Sequence, residues 1–264
     1  MSPRNRRPAR PDPSRSQEGR GGPGRSDRYV IPGRQPVREA IRAGRDLEAV
    51  IIDTRQVDAL ADLAQAAADA GVTLRTASRD ELDGLTGEVR HQGVVALAGP
   101  FAYASMDRLA TADLVLVLDG VTDPRNLGAI ARVAEQAGAG GIVIRSKRAA
   151  SPSPAAEKAA AGALSWVPVV VATNITRAVE ELRDHGLWSL GLAGEAPRTV
   201  WDEPLLDERV ALVIGEEGAG LSRLVAERVD ALVSIPMAGR LDSLNAATAT
   251  AVTAFEWSRR HHGK

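Results

Sequence analysis

The chain has 264 residues, enough for one large domain or two modest ones, with 44% hydrophobic residues and a net charge of −1. It has no cysteine, which excludes disulfides, thiolate zinc sites, iron–sulfur clusters and cysteine nucleophiles, and with them RNA methylation through a cysteine adduct on a base. No apolar run approaches the roughly 18 residues of a membrane span, and the N-terminus lacks the apolar stretch of a signal peptide, so a cytoplasmic protein is expected.

Residues 1–28 hold eight Arg against Asp12, Glu18 and Asp27, a balance of +5 that leaves the rest of the chain acidic. Rich in Pro, Gly, Ser and Arg, this stretch cannot bury enough surface to offset its ordering entropy and reads as a disordered basic arm. A basic arm on an acidic body suits a nucleic-acid binder; a leader of no specific role fits the composition as well.

Residues 29–99 read as a small α/β domain. The pattern predicts a helix over Pro36–Ala43, a strand over Leu47–Ile52, an alanine-rich helix over Val57–Ala70 closed by Gly71, and a strand over Val72–Thr76. A helix capped by Ser78 and a strand over Gly93–Ala98 follow. Residues 100–112 read as a linker.

Residues 113–264 repeat strand then helix. Strands are predicted at Leu114–Leu118, Gly141–Arg145, Val167–Val171, Leu187–Leu192, Val210–Ile214 and Leu232–Ile235. Helices are predicted at Leu127–Ala137, Pro154–Leu164, Ile175–His185, Ser222–Arg228 and Ser243–Arg260. Short, near-continuously apolar strands belong to buried parallel sheets, and the alternation predicts helices on both faces.

Three segments carry glycines and amides after a strand and before a helix: Asp119–Gly138, Val213–Ser222 and Ile235–Ala251. Loops at the carboxyl ends of strands are where open α/β folds bind ligands, so the three point to one composite site. Gly215–Gly220 (GEEGAG) stands where a phosphate-binding turn would, but Glu216 and Glu217 would repel a pyrophosphate and no lysine follows, which argues against a dehydrogenase. Asn126 reads either as a plain helix cap or as an amide at the helix mouth, Arg132 as a solvated helix arginine, and Ser243 as the cap of the last helix. The four His show no metal-ligand spacing, and 3% aromatic residues leave little for base-stacking platforms.

Together the three segments resemble the signature motifs of the SpoU/TrmH branch of the SPOUT RNA methyltransferases. The first reads Asn126, Gly128, Arg132, Gly138; the second Gly215, Glu217, Gly218, Gly220; the third Ile235, Pro236, Met237, Ser243, Leu244, Asn245. The resemblance covers the chain after about residue 28 and is strongest to members that methylate a guanosine ribose of 23S rRNA. Arg28–Ile41 and Val89–Leu97 resemble the ends of that family's small RNA-binding domain.

The resemblance implies an α/β fold: a C-terminal SPOUT domain with a parallel sheet and deep trefoil knot, preceded by a small ribosomal-protein-like (L30e/L7Ae-type) RNA-binding domain. It implies S-adenosylmethionine as cofactor, bound by Gly215, Gly218, Ile235, Met237 and Leu244, and a catalytic set of Asn126, Arg132, Glu217, Ser243 and Asn245. It implies an RNA partner, a homodimer whose site borrows residues across the interface, and no metal. Where family members often carry Asn, this chain has Glu216. A guanidinium pKa above about 12 makes Arg132 costly as a base; it reads better as a cation on the developing alkoxide or a neighbouring phosphate, with Glu217 orienting Arg132 or the backbone, and Ser243 and Asn245 placing the ribose. The alternatives are a tRNA ribose methyltransferase of the same family and a non-catalytic RNA-binding ribosome-assembly protein on the same fold.

Overall fold

The computed structural model describes residues 28–240 and 243–263; the basic arm read in residues 1–27 lies outside them. The chain forms two sheets. The first has four strands, β1 (Tyr29–Pro32), β2 (Leu47–Asp53), β3 (Thr73–Ala77) and β4 (Val94–Ala98), in the order β1-β4-β2-β3. β4 runs antiparallel to β1 and β2, and β2 pairs parallel with β3. Helices α1 (Arg34–Arg42) and α2 (Ala61–Asp69) cover one face around Ile31, Val50, Ile52 and Leu63. Helix α3 (Arg79–Thr86) covers the other through Leu82, packed with Ile51, Val95 and Leu97. Ser78 caps α3 in a reciprocal box with Glu81, as its position before that helix predicts.

The second sheet has six parallel strands: β5 (Leu114–Asp119), β6 (Gly141–Arg145), β7 (Val169–Ala172), β8 (Trp188–Leu192), β9 (Val210–Gly215) and β10 (Ala231–Val233). Their order is β10-β8-β9-β5-β6-β7. Alternate residues of β5 feed opposite cores. Leu114, Leu116 and Leu118 join the side covered by α4 (Pro124–Ala137), α5 (Pro154–Ala160) and α8 (Ala246–His262). Val115 and Val117 join the side covered by α6 (Ile175–Asp184) and α7 (Arg223–Ala226). The chain leaves β5 toward β6 and β7, then returns on the far side as β8 and β9. β5 and β9 therefore flank the point where strand order reverses, the place where such sheets bind ligands.

One strand goes unpredicted and two expectations are corrected. Tyr29–Pro32 is an edge strand, too short to show a period and ending in a proline that edges tolerate. The run Val57–Ala70 opens as a 3-10 turn, Asp58–Leu60, before α2 begins. The helix from Pro154 stops at Ala160, because Ala161 and Gly162 are left-handed (φ 52° and 102°) and a 3-10 turn at Ala163–Ser165 follows. A Cβ on Gly162 would meet the side chain of Glu39 on α1, so the break lets the two sheet units approach.

A buried node fixes that approach. Glu157 on α5 is fully buried, and its Oε1 accepts from Tyr29 Oη at 2.9 Å and from Arg45 Nη1 at 2.7 Å. Burial, reinforced by the Glu157 carboxylate, pushes the Tyr29 hydroxyl far above its ordinary range, so it stays a donor. At the other end of the molecule, hydrogen bonds from Arg259 and then Arg260 hold the Glu256 carboxylate down at about 2. Arg260 also donates to the Glu203, Val200 and Trp201 carbonyls, which ties α8 to the segment before β9.

Candidate active site

A cavity of about 440 Å³ opens above the carboxyl ends of β8, β9 and β10. Its wall after β9 is a tight loop in which Glu216 and Gly220 exchange backbone hydrogen bonds at 3.0 and 2.8 Å. Gly218 and Gly220 take φ of 80° and 69°, which a side chain would oppose. Gly215 has a different reason to be glycine: a Cβ there would run into the backbone of Gly220 and Leu221. Gly215 is thus required by the chain's own return and not solely by a ligand's approach.

Buried Asp119, last residue of β5, holds the loop from below: its Oδ2 accepts from Ser222 N at 2.8 Å, and Arg145 Nη2 lies 3.4 Å from its Oδ1. The opposite wall is Ile235 and Met237 after β10, with Ser243, Leu244 and Ala246 leading into α8.

At the mouth a carboxylate gathers amides from all three segments. Glu217 Oε1 accepts from Asn126 Nδ2 at 3.0 Å, from Asn245 Nδ2, and from Ala246 N at 3.3 Å. Asn245 Nδ2 also donates to Asn126 Oδ1 at 3.0 Å. This network fixes which way each amide points. Two expectations change here. Asn126 does not cap α4, because Asp123 does, accepting from Arg125 N at 2.8 Å. Ser243 does not cap α8, because Asn245 does, accepting from Ala247 and Thr248 N–H groups. Asn245 thus starts a helix and completes the cluster with one side chain. Gly128, one turn along α4, lets α5 press close: a Cβ would meet Ala156 O, Ala159 Cβ and Ala160 N.

Residues 113–255 match the SpoU rRNA Methylase family, and residues 30–104 match the substrate-binding domain of RNA 2′-O ribose methyltransferases. The chain belongs to the SpoU methyltransferase family. A tRNA/rRNA methyltransferase of Mycobacterium avium, uncharacterized by its name, is 40% identical over 242 residues, 89% of this chain and 78% of its own. A Staphylococcus haemolyticus relative named for the TrmH family of tRNA/rRNA methyltransferases is 35% identical over 241 residues, 88% of this chain and 96% of its own. Among solved structures, the SpoU methyltransferase AviRb of Streptomyces viridochromogenes, in complex with AdoMet, superposes with a TM-score of 0.76 at 28% identity, covering 90% of this chain and 92% of that one. An AdoMet-bound rRNA methyltransferase of Sinorhizobium meliloti superposes at 0.75 and 27%, covering 89% and 88%.

The cofactor of the SpoU family is S-adenosylmethionine, and the cavity fits it. The volume is that of a small-molecule site. Among the described residues, Glu195, Glu216 and Glu217 line it and no Lys or Arg does, which suits a cationic sulfonium and opposes a pyrophosphate. Gly215, Gly218, Ile235, Met237 and Leu244 all line this cavity, as do Glu217 and Ser243. Asn126 and Asn245 join at its rim through Glu217. Arg132 is set apart. Exposed, and about 9 Å further along α4 than Asn126, it borders a separate depression of about 370 Å³ with Gln35, Glu39 and Trp166. Glu217 therefore orients the two asparagines and not the Arg132 of its own chain.

Sequence reasoning missed three contributors. Leu192–Glu195, the loop after β8, lines the cavity without glycine-rich punctuation beyond Gly194. Asp119 was seen as the start of a motif and not as a buried anchor. The Ala246 N–H enters only because α8 begins three residues later than predicted.

Proposed function

We propose that this SpoU methyltransferase methylates a ribose 2′-oxygen of RNA, and that its target is a guanosine of 23S rRNA. The observation that carries the reading is the cluster of Asn126, Asn245 and Ala246 N–H on Glu217 Oε1 at the rim of the donor cavity. A pure RNA binder has no need of a neutral amide array fixed beside a pocket lined by glutamates. The match of residues 30–104 to a ribose-methyltransferase substrate-binding domain supports the 2′-oxygen, and the rRNA methyltransferases among its structural neighbours support the substrate class.

In the reaction an O–CH3 bond would form at the 2′-oxygen, the S–CH3 bond would break with its electron pair left on a neutral thioether sulfur, and the hydroxyl proton would pass to Glu217 Oε2. S-adenosylmethionine, when bound, supplies the methyl group on a positively charged sulfur. Glu217 Oε2 has no hydrogen-bond partner among the described residues and offers the 2′-hydroxyl an acceptor while Oε1 stays committed to the amides. Asn126 and Asn245, held rigid by that carboxylate, fix the approach, so the gain is positional. A cation on the developing alkoxide is the remaining need. Arg132 of the same chain lies apart, and it carries no ion pair or hydrogen bond among the described residues. We therefore assign it to the active site of a second copy in a homodimer.

Three finer structural readings belong to the same proposal. Residues 29–99 form an L30e/L7Ae-type RNA-binding domain, 100–112 a linker and 113–264 the catalytic domain. The chain from Val210 onward threads a trefoil knot, supported by β10 joining the sheet beside β8 after β9 is in place and by α8 closing on the α4 side of the core. The protein works in the cytoplasm, where its RNA is; no described helix is long and apolar enough to cross a membrane.

Mapping 2′-O-methyl positions in rRNA and tRNA from cells with and without the gene tests the reading. Loss of one 2′-O-methylguanosine in 23S rRNA is expected. Loss from a tRNA would overturn the target, and an unchanged map would overturn the activity. Mixing an Arg132→Ala chain with an Asn245→Ala chain should restore transfer that neither supports alone; no recovery would place Arg132 outside the site.

A further inference from the structure

The two sheet units meet along α5, and the crevice between them is cationic. Gln92, exposed at φ 55°, stands at its centre. Lys158 on α5 donates from Nζ to Gln92 Oε1 at 2.6 Å. Arg34, at the start of α1, donates from Nε to the Gln92 carbonyl at 3.2 Å and from Nη2 to Gln56 Oε1 at 3.0 Å. Gly33 (φ 106°) leaves the room: a Cβ there would stand 2.7 Å from Lys158 Nζ and 3.2 Å from Gln92 Oε1. Exposed Arg90 lies close enough that its charge, after burial, helps lower the Lys158 pKa. Arg34 and Lys158 thus bond only neutral amide oxygens, and no described carboxylate pairs with either of them or with Arg90. Elsewhere on this acidic molecule many arginines have such a partner, from Arg38 with Asp62 to Arg228 with Glu180.

The crevice is built to hold its shape. His91 is buried; its Nδ1 accepts from Gly93 N at 3.1 Å, which puts the ring proton on Nε2, facing Asp83 Oδ1 at 3.0 Å. That pins the turn that displays Arg90 and Gln92. On the other side of α5 the buried Glu157–Arg45 pair fixes the helix to the N-terminal unit. Glu157 is fully buried, so leaving its carboxylate without Arg45 would be costly, and the pair favours this one arrangement. The segment before α5 also touches the turn before α4. The loop with Lys147 and Arg148, both exposed and without carboxylate partners among the described residues, runs into α5 and bonds from Ala150 N to Val121 O, in the turn just before α4.

We propose that this crevice is a phosphate clamp for the substrate RNA, in which Arg34 and Arg90 of the N-terminal unit and Lys158 of the catalytic unit share a phosphodiester flanking the methylated nucleotide. The proposal rests on the RNA-methyltransferase reading and adds to it the residues that read the backbone. A phosphate replaces the amide oxygens around the cations, and strands entering along Lys147 and Arg148 reach Asn126. The clamp recognises charge and not base, so it contributes affinity and register without sequence preference.

The test is filter binding of an unmodified 23S rRNA transcript to the full chain across a KCl series. The double variant Arg34→Gln/Lys158→Gln should shift the log Kd against log salt slope by roughly 0.7, the value for the one phosphate of a single strand that the three cations share. Arg75→Gln, which removes the same charge from the far edge strand β3, should leave the slope at the wild-type value. Lys158→Arg, which keeps the charge, should leave the slope near the wild-type value. An unchanged slope in the double variant, with its melting temperature and S-adenosylmethionine affinity intact, overturns the clamp. An equal change from Arg75→Gln also overturns it, by showing a net-charge effect. If the wild-type chain binds the donor yet neither binds nor methylates any RNA, it is the methyltransferase reading that fails.

Discussion

Two concave surfaces of the molecule, the cavity and the crevice, differ first in sign. Among the described residues, the cavity above β8, β9 and β10 has three glutamates and no basic residue in its lining. The crevice along α5 gathers Arg34, Arg90 and Lys158, with neutral amides as their partners. They differ also in construction. The cavity is made from strand-end loops of one sheet, where backbone geometry decides the shape. The crevice is made from side chains of two units locked by a buried ion pair. A methyl donor is a small cation and RNA is a polyanion. Placing opposite charges on separate surfaces keeps each ligand out of the other's site, and leaves the neutral Asn126–Asn245 pair at the rim where they must meet.

If that division holds, damage at the rim should abolish chemistry and spare RNA binding. Glu217→Ala takes the shared acceptor from Asn126, Asn245 and Ala246 N at once. Misplacement of about an ångström at a reacting centre costs on the order of 10²-fold in rate. Single-turnover transfer with saturating donor should fall by about that factor, while RNA affinity at fixed salt stays within about twofold. A parallel fall in RNA affinity would show that the two surfaces are not independent.

A smaller effect is expected one layer down. Asp119 is buried and ties the loop after β9 to β6 through Ser222 N and Arg145. Asp119→Asn keeps the shape but loses the charge that suits both partners. Loss of a charged hydrogen-bond acceptor in a buried setting costs roughly 1–3 kcal/mol. Urea unfolding should show a loss of that size, with donor affinity reduced by the loosened loop. A variant as stable as wild type, with unchanged donor affinity, would mean that the Gly215–Gly220 loop holds itself.

How far these surfaces could be read from the residues follows the same division. The cavity was largely legible. Its residues sit at strand ends, and apolar runs followed by Gly, Glu and Asn in fixed places mark strand ends well. What escaped there was the third dimension. Asn126 reads as a helix cap because caps are local, whereas its partner Glu217 is 91 positions away. Ser243 reads as a cap for the same reason, and Asn245 takes the role because its side chain reaches Ala247 and Thr248. The crevice was legible only as two segments, Arg28–Ile41 and Val89–Leu97, of an RNA-binding domain, and its meeting with Lys158 was not. Its members come from three separate stretches, and nothing in the spacing of Arg34, the Arg90–Gln92 turn and Lys158 marks them as neighbours. The break at Ala161–Gly162 that admits Glu39 was likewise hidden, since alanine and glycine carry no sign that another unit lies opposite. Helix and strand periods report what one element buries and say nothing of which exposed charges two elements bring together.

The finest test of the comparison is a single charge. Glu216 lies on the cavity wall and is exposed, so water screens it and its attraction for a ligand cation is weak. An exposed pair contributes about 0.2–1 kcal/mol. Glu216→Asn, which keeps the loop's length and its Glu216–Gly220 backbone bonds, should weaken S-adenosylmethionine binding by roughly two- to fivefold. S-adenosylhomocysteine has nearly the same shape but a neutral sulfur, so its affinity should not follow. Calorimetric titration of both ligands into both proteins isolates the charge from the geometry. If the two affinities drop together, Glu216 acts by shaping the loop. If only the sulfonium suffers, the acidic wall is selecting the donor by its sign, as the cationic crevice would select the RNA by the opposite one.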